Sequence, residues 1–366
     1  VLPMADVTQA QVEAALKEMV DPYLNKDLIS AKAIKNIAID GGKVSIDVEL
    51  GFPAKGYHEK LTNGIKEAVS AVSGVASVSV NMTTNIISHA VQQGVKPIPG
   101  VKNIIAVASG KGGVGKSTTS VNLALALSAE GARVGILDAD IYGPSQPRML
   151  GVSAKPESED GKTLKPIISH DLQAMSIGFL IDEETPMIWR GPMVTQALEQ
   201  LLRDTTWDDL DYMVIDLPPG TGDIQLTLAQ KVPVSGAVIV TTPQDIALMD
   251  ARKALKMFEK VEVPVLGIVE NMSTHICSKC GHEEHIFGEG GGNRMADDYD
   301  VDFLGALPLD IRIREETDGG KPTVAAEPDS PISQTYREIA RRTAAKLALR
   351  KKDFAAKFPN IVIQNS

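Results

Sequence analysis

A glycine-rich segment with two lysines is the part of this sequence best suited to hold a phosphate chain. Residues 109–118 read Ser-Gly-Lys-Gly-Gly-Val-Gly-Lys-Ser-Thr and match the pattern G-x-x-x-x-G-K-[ST]. Glycines let the backbone curl so that consecutive N–H groups point at anionic oxygens, and the start of the following helix adds a partial positive charge. Lys116 would neutralise the β- and γ-phosphates, and the Ser117 hydroxyl would ligate Mg²⁺. The predicted nucleotide site comprises Gly110, Lys111, Gly112, Gly113, Val114, Gly115, Lys116, Ser117 and Thr118.

Carboxylates follow two apolar segments further along the chain. Asp138 and Asp140 come after residues 134–137, and Asp216 comes after residues 212–215. The carboxyl ends of parallel strands face the crevice where such sheets bind their ligands. An aspartate that ends an apolar strand holds Mg²⁺ directly or through water, so we expect Asp216 to do this.

The two cysteines of the chain lie close together among several histidines. Cys277 and Cys280 fall within residues 275–285, which also contain three of the six histidines. Two thiolates at this spacing fold onto one metal centre but are half of a tetrathiolate site. Either His282 and His285 complete a mononuclear zinc site, or a second copy of the chain supplies two more thiolates. Thiolates suit zinc and iron–sulfur clusters alike, and a disulfide oxidoreductase is disfavoured because the motif does not begin a helix in a thioredoxin-like unit.

The elements that must position these residues follow from the apolar pattern. Segments such as 103–109, 212–217 and 237–242 are largely apolar, which is typical of strands buried on both faces. Amphipathic stretches such as 116–130 and 246–261 lie between them. We therefore predict an α/β fold, with a mostly parallel sheet in a P-loop NTPase core that carries helices on both faces.

Changes in pattern along the chain predict four regions. Helical and strand patterns alternate in the first 85 residues, and a stretch rich in glycine and proline then interrupts every periodicity. The prediction is a small α/β domain, a linker, the ATPase domain and a C-terminal tail, at residues 4–88, 89–101, 102–350 and 351–366.

Composition excludes several classes of protein. The 366 residues are 43% hydrophobic and 23% charged, with a net charge of −10. An acidic chain with 4% aromatic residues is poorly suited to follow a nucleic acid backbone, so we expect no nucleic acid partner. No apolar run reaches the roughly 18 residues of a membrane span, and no signal pattern precedes residue 20, so the expected location is the cytoplasm.

The second lysine of the glycine-rich loop adds a family resemblance. With Lys111, the loop resembles the deviant Walker A motif of the SIMIBI ATPases, which include MinD, ParA, ArsA and the nitrogenase iron protein. This resemblance implies that Lys111 reaches the phosphates of a partner in a nucleotide sandwich dimer. It also implies that Asp140 positions the attacking water, that Asp138 lies near Mg²⁺, and that Asn271 reads the adenine base.

A narrower resemblance covers roughly residues 101–340. The segments that carry it look like the Mrp/ApbC branch of these ATPases, and they are residues 189–193, 216–225, 242–245, 270–273 and 277–282. This branch implies a homodimer in which Cys277 and Cys280 of both copies bridge one 4Fe-4S cluster. The N-terminal region resembles the small domain of iron–sulfur assembly proteins and retains Asp21, but residues 50–56 lack a cysteine, so a docking or regulatory role is expected for it.

The resulting expectation is an iron–sulfur cluster carrier that binds and slowly hydrolyses ATP with Mg²⁺. It would pass a labile 4Fe-4S cluster to apo iron–sulfur proteins and work with cluster-assembly scaffolds. One alternative is a positioning ATPase of the MinD/ParA type, whose basic residues 341–352, followed by Phe354 and Phe358, would lie on an anionic membrane. The membrane interpretation is the less favoured one, because such helices usually pack on their own domain. The other alternative is a zinc-stabilised ATPase without a cluster.

Overall fold

A computed structural model describes residues 6–181 and 190–350 of the chain. Trp189, which carries part of the family resemblance, and the predicted tail at 351–366 lie outside the described residues. Two compact units are present, one formed by residues up to Ile87 with Ala344–Leu349 and one by Ser88–Thr343. None of the described helices combines the length and the hydropathy that crossing a bilayer requires.

Strands and helices are numbered here in chain order. The described strands are β1 (Val20–Asp21), β2 (Lys26–Asp27), β3 (Ile34–Asp40), β4 (Lys43–Leu50), β5 (Ser77–Thr84), β6 (Val101–Ala108), β7 (Val134–Asp138), β8 (Ile167–Ser169), β9 (Leu172–Ser176), β10 (Leu210–Asp216), β11 (Gly236–Thr241), β12 (Val265–Glu270), β13 (His275–Ile276), β14 (Glu283–Glu284) and β15 (Phe303–Ala306). The described α-helices are α1 (Gln9–Lys17), α2 (His58–Ser70), α3 (Lys116–Ala129), α4 (Gln146–Met149), α5 (Gly191–Asp204), α6 (Asp223–Lys231), α7 (Asp245–Lys260), α8 (Gly291–Asp298), α9 (Ile311–Asp318), α10 (Thr323–Ala326) and α11 (Pro331–Ala348).

The larger unit is built on a mostly parallel sheet. Among the described residues, eight strands pair in the order β15-β12-β11-β6-β10-β7-β9-β8. Neighbouring strands are parallel except β8 and β9. Every residue of β7 and β11 is buried, which requires cover on both faces of the sheet. The predicted α/β fold with a mostly parallel sheet is confirmed.

The antiparallel edge strand β8 was not predicted from the sequence. It joins β9 through a two-residue turn in which His170 and Asp171 have φ of +48° and +64°. Positive φ at both positions is the geometry of a tight hairpin turn, for which Asn-Gly and Asp-Gly are the usual sequences. Because His-Asp is an uncommon pair there, local pattern gave no sign of the hairpin.

The helix after the phosphate loop, α3, is held at its far end by the C-terminal helix. Glu130, which follows α3, is fully buried and accepts hydrogen bonds of 2.7 Å from both Arg337 and Arg341 of α11. A buried carboxylate is tolerated only when such partners compensate its lost hydration. The pairing therefore fixes α11 along the helix that carries Lys116.

The segment that enters the larger unit is also attached to it. The Gln92 side chain donates to the carbonyls of Ala229 and Val232, at 2.6 and 3.1 Å, and accepts from the Val234 N–H at 3.1 Å. Terminal carbonyls of a helix have no partner within the helix. Gln92 thus supplies such a partner at the end of α6, and Ile98 is buried nearby in the chain.

The smaller unit has its own core. Strand β4 pairs with β3 and β5, and alternate residues of β4 are buried. Helix α2 packs against β5 and buries Leu61, Ile65 and Val69. Asp21, fully buried, accepts hydrogen bonds from the Tyr57 hydroxyl at 2.8 Å and from the N–H groups of Tyr23 and Leu24. Its carboxylate is therefore used to hold a turn together.

Candidate functional site

The phosphate loop runs from the end of β6 to the start of α3. Gly113 and Gly115 both have φ of +80°, which residues with a side chain rarely adopt. A Cβ on Gly110 would overlap the backbone of Asp250 in α7, and one on Gly115 would overlap the side-chain amide of Asn271. The loop is thus shaped by its own glycines and by neighbouring elements that pack directly against it.

A buried ion pair lies at the centre of this loop. Lys116 is 6% exposed, and its ammonium contacts the carboxylate of Asp216 and the Ser117 hydroxyl, the latter at 3.1 Å. Asp216 also accepts from the Ser120 hydroxyl at 2.9 Å and from the Gln146 side-chain amide at 3.1 Å. The Lys116 ammonium is therefore paired with the Asp216 carboxylate, which also accepts hydrogen bonds from two neutral donors.

The ends of β7 and β10 bring the predicted carboxylates together. Asp138 and Asp216 are directly paired residues of these parallel strands, and both are fully buried. Burial, and then the charge of Asp216, raise the pKa of Asp138 to about 7. Burial also raises the pKa of the half-buried Asp140, although Lys116 acts in the opposite direction. The three carboxylates thus lie around the Lys116 ammonium.

Asp138 organises the segment that follows it. Its carboxylate accepts from the N–H groups of Asp140, Ser145 and Gln146 and from the Ser176 hydroxyl, at 3.0–3.1 Å. These bonds fold residues after β7 back towards the sheet. Both oxygens of Asp138 therefore have protein donors, whereas the Asp140 side chain is left partly exposed.

The remaining predicted nucleotide residues line the same loop. Asn271 lies just after β12, and its side-chain amide donates to the Val114 carbonyl at 3.0 Å. Thr118 lies in the first turn of α3 and its carbonyl accepts from Asn122 at 3.0 Å. Lys111 is half-buried, and within the described part of the chain its ammonium has no carboxylate partner. The structure thus gathers these residues around one loop.

This arrangement fits a nucleoside triphosphate and Mg²⁺. Left-handed glycines allow the N–H groups of such a loop to turn towards an anion, and Lys116 adds a positive charge. The Ser117 hydroxyl and the Asp216 carboxylate are the oxygen donors that Mg²⁺ prefers. Gln146 and Ser120 also contact Asp216, and sequence analysis missed both because neither belongs to a recognised motif.

The cysteine pair sits on a short hairpin formed by β13 and β14. The Cys277 N–H donates to the His282 carbonyl at 2.9 Å, the Gly281 N–H donates back to the Cys277 carbonyl at 2.8 Å, and Gly281 has φ of +71°. The N–H groups of Lys279 and Cys280 point at the Cys277 sulfur and lower the pKa of its thiol. Cys280 is exposed. Two thiols are therefore presented to solvent from one tight turn.

The nearby histidines do not join the cysteines. His285 Nδ1 lies 3.1 Å from the Ser273 carbonyl, and His275 Nδ1 lies 3.1 Å from the Leu309 carbonyl. His282 Nε2 lies 3.7 Å from a Glu284 oxygen. Across residues 6–181 and 190–350, no three His, Cys, Asp or Glu side chains are grouped closely enough to hold a metal ion. One chain therefore offers the cysteines without further ligands in its described part.

Strand β12 connects the two regions. Asn271 follows this strand and contacts the phosphate loop, and the cysteine hairpin begins a few residues later. Glu270 accepts from the Ser273 hydroxyl at 2.7 Å and from the Gly292 N–H at 2.6 Å, and the Leu309 N–H donates to the Thr274 carbonyl at 2.7 Å. The segment between the loop and the cysteines is thus fixed by hydrogen bonds on both sides.

A phosphate loop between a central parallel strand and a helix, with carboxylates at the ends of neighbouring strands, defines a P-loop NTPase. The profile described as NUBPL iron-transfer P-loop NTPase, of the ParA type, matches residues 100–344. The chain belongs to this family. The profile described as iron-sulfur cluster assembly protein matches residues 9–81.

Individual relatives agree with this assignment. The iron-sulfur cluster carrier protein of Haemophilus influenzae is 52% identical over 340 residues, which cover 93% of this chain and 92% of that protein. A nucleotide-binding protein from Archaeoglobus fulgidus, solved in complex with ADP, is 38% identical with a TM-score of 0.56 over 64% of this chain and 91% of that one. The cell division ATPase MinD of Pyrococcus furiosus, 23% identical with a TM-score of 0.51 over 66% of this chain and 97% of that one, shares the fold.

Proposed function

We propose that this protein is an ATP-dependent iron–sulfur cluster carrier that acts as a homodimer. The observation that carries the proposal is the pair of half-buried Cys277 and exposed Cys280, to which the described part of the chain adds no third metal ligand. A cluster with four thiolate ligands would need this pair from each of two copies. A 4Fe-4S cluster bridging the two chains satisfies that requirement.

The nucleotide would bind with its phosphates in the loop of residues 110–118. Lys116 would then leave Asp216 for the more strongly charged triphosphate, and Ser117 and Asp216 would hold Mg²⁺ with Asp138 close by. Mg²⁺, when bound, withdraws negative charge from the β- and γ-phosphate oxygens. Asp140 would orient the attacking water for a slow hydrolysis.

Closure of the dimer would depend on Lys111. Its ammonium has no carboxylate partner in the described residues, which leaves it available to the phosphates bound by the other copy. ATP can shift the equilibrium between open and closed dimers only if it binds the closed form more tightly. Contact between Lys111 and the partner's nucleotide would supply that difference in affinity.

The cluster is the cargo of the carrier. The N–H groups that lower the pKa of Cys277 favour the thiolate, which is the form that binds iron. The exposed hairpin leaves the cluster accessible to thiols of apo iron–sulfur proteins and to cluster-assembly scaffolds. Free cysteines suit a reducing compartment, so we place this transfer in the cytoplasm.

The names of relatives support the same function. The Haemophilus influenzae protein described above aligns along nearly the whole chain and is named as a carrier of iron–sulfur clusters. The match of residues 9–81 to an iron–sulfur assembly family supports a docking or regulatory role for the N-terminal domain. Adenosine nucleotide as the ligand is supported by the ADP of the Archaeoglobus fulgidus relative.

The alternative of a membrane-positioning ATPase is less well supported. Arg341, in the basic stretch that such a role would use, is buried and bound to Glu130, and Arg342 contacts Glu338 at 3.0 Å. These charges therefore already have partners on the protein itself. Sedimentation with anionic liposomes in the presence of ATP tests the point, and binding that is lost on removing residues 351–366 would favour the alternative.

The decisive experiment is anaerobic reconstitution followed by counts of iron, sulfide and zinc. We expect about four iron and four sulfide ions per dimer, as one cubane holds, and dimers that persist with ATP. Cys277→Ser and Cys280→Ser should each abolish the iron. About one zinc per chain in place of iron would support the zinc-stabilised ATPase instead.

Two histidine variants provide the matched control. His282→Ala and His285→Ala remove the two residues that complete a mononuclear zinc site in the sequence-based alternative. We expect both variants to keep the full iron content. Loss of metal from either one, or a protein that stays monomeric with ATP and iron, contradicts the bridging cluster.

A further inference from the structure

Gln146 contacts all three parts of the nucleotide site, although no motif contains it. Its side chain is 1% exposed, and its amide nitrogen donates to the Asp216 carboxylate and to the Ser117 carbonyl, both at 3.1 Å. Its backbone N–H donates to Asp138 at 3.0 Å. One residue thus touches the phosphate loop, Asp138 at the end of β7 and Asp216 at the end of β10.

The two oxygens of Asp216 are used differently. Oδ1 accepts from Lys116 and from the Ser120 hydroxyl, whereas Oδ2 accepts from Gln146. When Lys116 turns to a bound phosphate, Asp216 loses its cationic partner. Gln146 and Ser120 remain as neutral donors, and they hold the carboxylate in place without neutralising the charge that attracts Mg²⁺.

The same side-chain amide of Gln146 has an unused acceptor. Its carbonyl oxygen Oε1 is buried and has no hydrogen-bond partner among the described residues. Buried polar atoms of this kind are uncommon, because an unmade hydrogen bond costs about 1–3 kcal/mol. A water molecule bound to Mg²⁺ is a donor that would satisfy this oxygen.

We propose that Gln146 is a positioning residue for Mg²⁺, which orients Asp216 through its amide nitrogen and accepts from a metal-bound water through its carbonyl. This proposal rests on the nucleotide half of the proposed function and is independent of the cluster. Residues that orient metal ligands in this way typically contribute about 10- to 100-fold to metal affinity. The effect of losing Gln146 should therefore appear only when Mg²⁺ is present.

The test compares nucleotide binding with and without the metal. Gln146→Met keeps the length and volume of the side chain but removes both polar groups. Affinity for a fluorescent ATP analogue is measured in Mg²⁺ and in EDTA, together with a titration of Mg²⁺ at fixed nucleotide. We expect the Mg²⁺ midpoint to rise at least about tenfold, while the affinity in EDTA and the melting temperature change little.

Gln173→Met is the matched control. Gln173 also makes two hydrogen bonds from its side chain, to the carbonyl and the N–H of Asp208 at 2.9 Å, but it lies on β9 away from the phosphate loop. We expect this variant to leave the Mg²⁺ midpoint unchanged. Gln146→Asn serves as a second variant if the methionine variant does not fold. Its side chain keeps the amide group but is one methylene shorter, so the amide lies farther from Asp216.

The outcomes separate this proposal from the proposed function. Equal loss of affinity in Mg²⁺ and in EDTA overturns it, because Gln146 would then only support the fold of the loop. An unchanged Mg²⁺ midpoint in Gln146→Met overturns it as well. A wild-type protein that binds ATP without regard to Mg²⁺ would instead contradict the nucleotide half of the proposed function.

Discussion

The phosphate loop and the cysteine hairpin differ in how much of a binding site one chain supplies. The loop has a buried lysine paired with a buried carboxylate, and its glycines fit against α7 and Asn271, so Lys116 and Asp216 have partners before any ligand binds. The hairpin is exposed, is formed by two strands of two residues each, and offers two thiols. One copy thus supplies most groups of the first site, with Lys111 left for a partner in the proposed dimer, and half of the thiolates that a bridging cluster would need.

This difference has a physical reason. Buried charges need fixed partners before any ligand arrives, because leaving them unpaired is costly. A cargo site must instead exchange its ligand with other proteins. Its donor atoms must therefore be accessible, and local deformation must cost little free energy. Damage to one region should therefore leave the other region intact.

The largest expected effect comes from Lys116→Ala. Loss of the ammonium that we propose to contact two phosphates should lower ATP affinity by about 100-fold or more. Isothermal titration calorimetry measures this loss. The iron content after reconstitution should remain that of the wild type, because the hairpin is held by its own backbone hydrogen bonds.

Lys256→Ala is the control for that variant. Lys256 is exposed and pairs with Glu259 on the surface of α7, so neither ATP affinity nor iron content should change. If Lys116→Ala lowered both iron content and ATP affinity, the two regions would assemble as one unit. That result would contradict the independence of the hairpin from the phosphate loop.

The next effect is on stability, through Gly110→Ala. A methyl group there meets the backbone of α7, so we expect a loss of about 1–3 kcal/mol in the free energy of unfolding. Gly112→Ala is the matched control, since nothing lies within 4 Å of its added Cβ. Urea unfolding of both variants checks the difference, and equal losses would contradict the close packing of the loop on α7.

A smaller effect is expected from Gly281→Ala in the hairpin. An alanine at φ of +71° costs about 1–2 kcal/mol, but the exposed hairpin can open without unfolding the sheet. The global free energy of unfolding should therefore stay unchanged within error. Amide hydrogen exchange of residues 277–282 should become faster, and a lowered global stability would show that the hairpin is part of the core.

The smallest effect is expected from Ile276→Ser. This isoleucine precedes Cys277 and is 58% exposed, so its loss should not alter stability. It should admit more water to a bound cluster and shorten the lifetime of that cluster in air by about twofold. Ile168→Ser on the edge strand β8, similarly exposed at 65%, should leave the lifetime unchanged, and an equal change in both variants would remove any role for Ile276.

Local patterns predicted the elements of the site well. The loop motif of residues 109–118 begins directly after β6 and ends in the first turn of α3, and Asp138 and Asp216 end neighbouring strands. Both results follow from short-range rules, because apolar runs of this length form buried strands and glycine-rich turns follow them. The number and spacing of cysteines likewise identified the hairpin as the candidate metal-binding segment.

Contacts between distant segments were beyond the reach of such patterns. Gln146 contacts Asp216 because hydrogen bonds to Asp138 fold the segment after β7 across the sheet. Gly110 is required by the approach of Asp250, which is far away in the chain. The sequence also suggested zinc ligation by His282 and His285, whereas the structure directs them to Glu284 and to the Ser273 carbonyl.

The sequence by itself determined the fold class, the phosphate loop and the pair of thiols, because each depends on residue types at short, fixed spacings. Only the tertiary structure decided which charges are paired at rest, which glycines tolerate no side chain, and that the described histidines stay apart from the cysteines. Those features depend on the order in which strands pair and on how segments far apart in the chain meet, and no short-range pattern encodes that geometry.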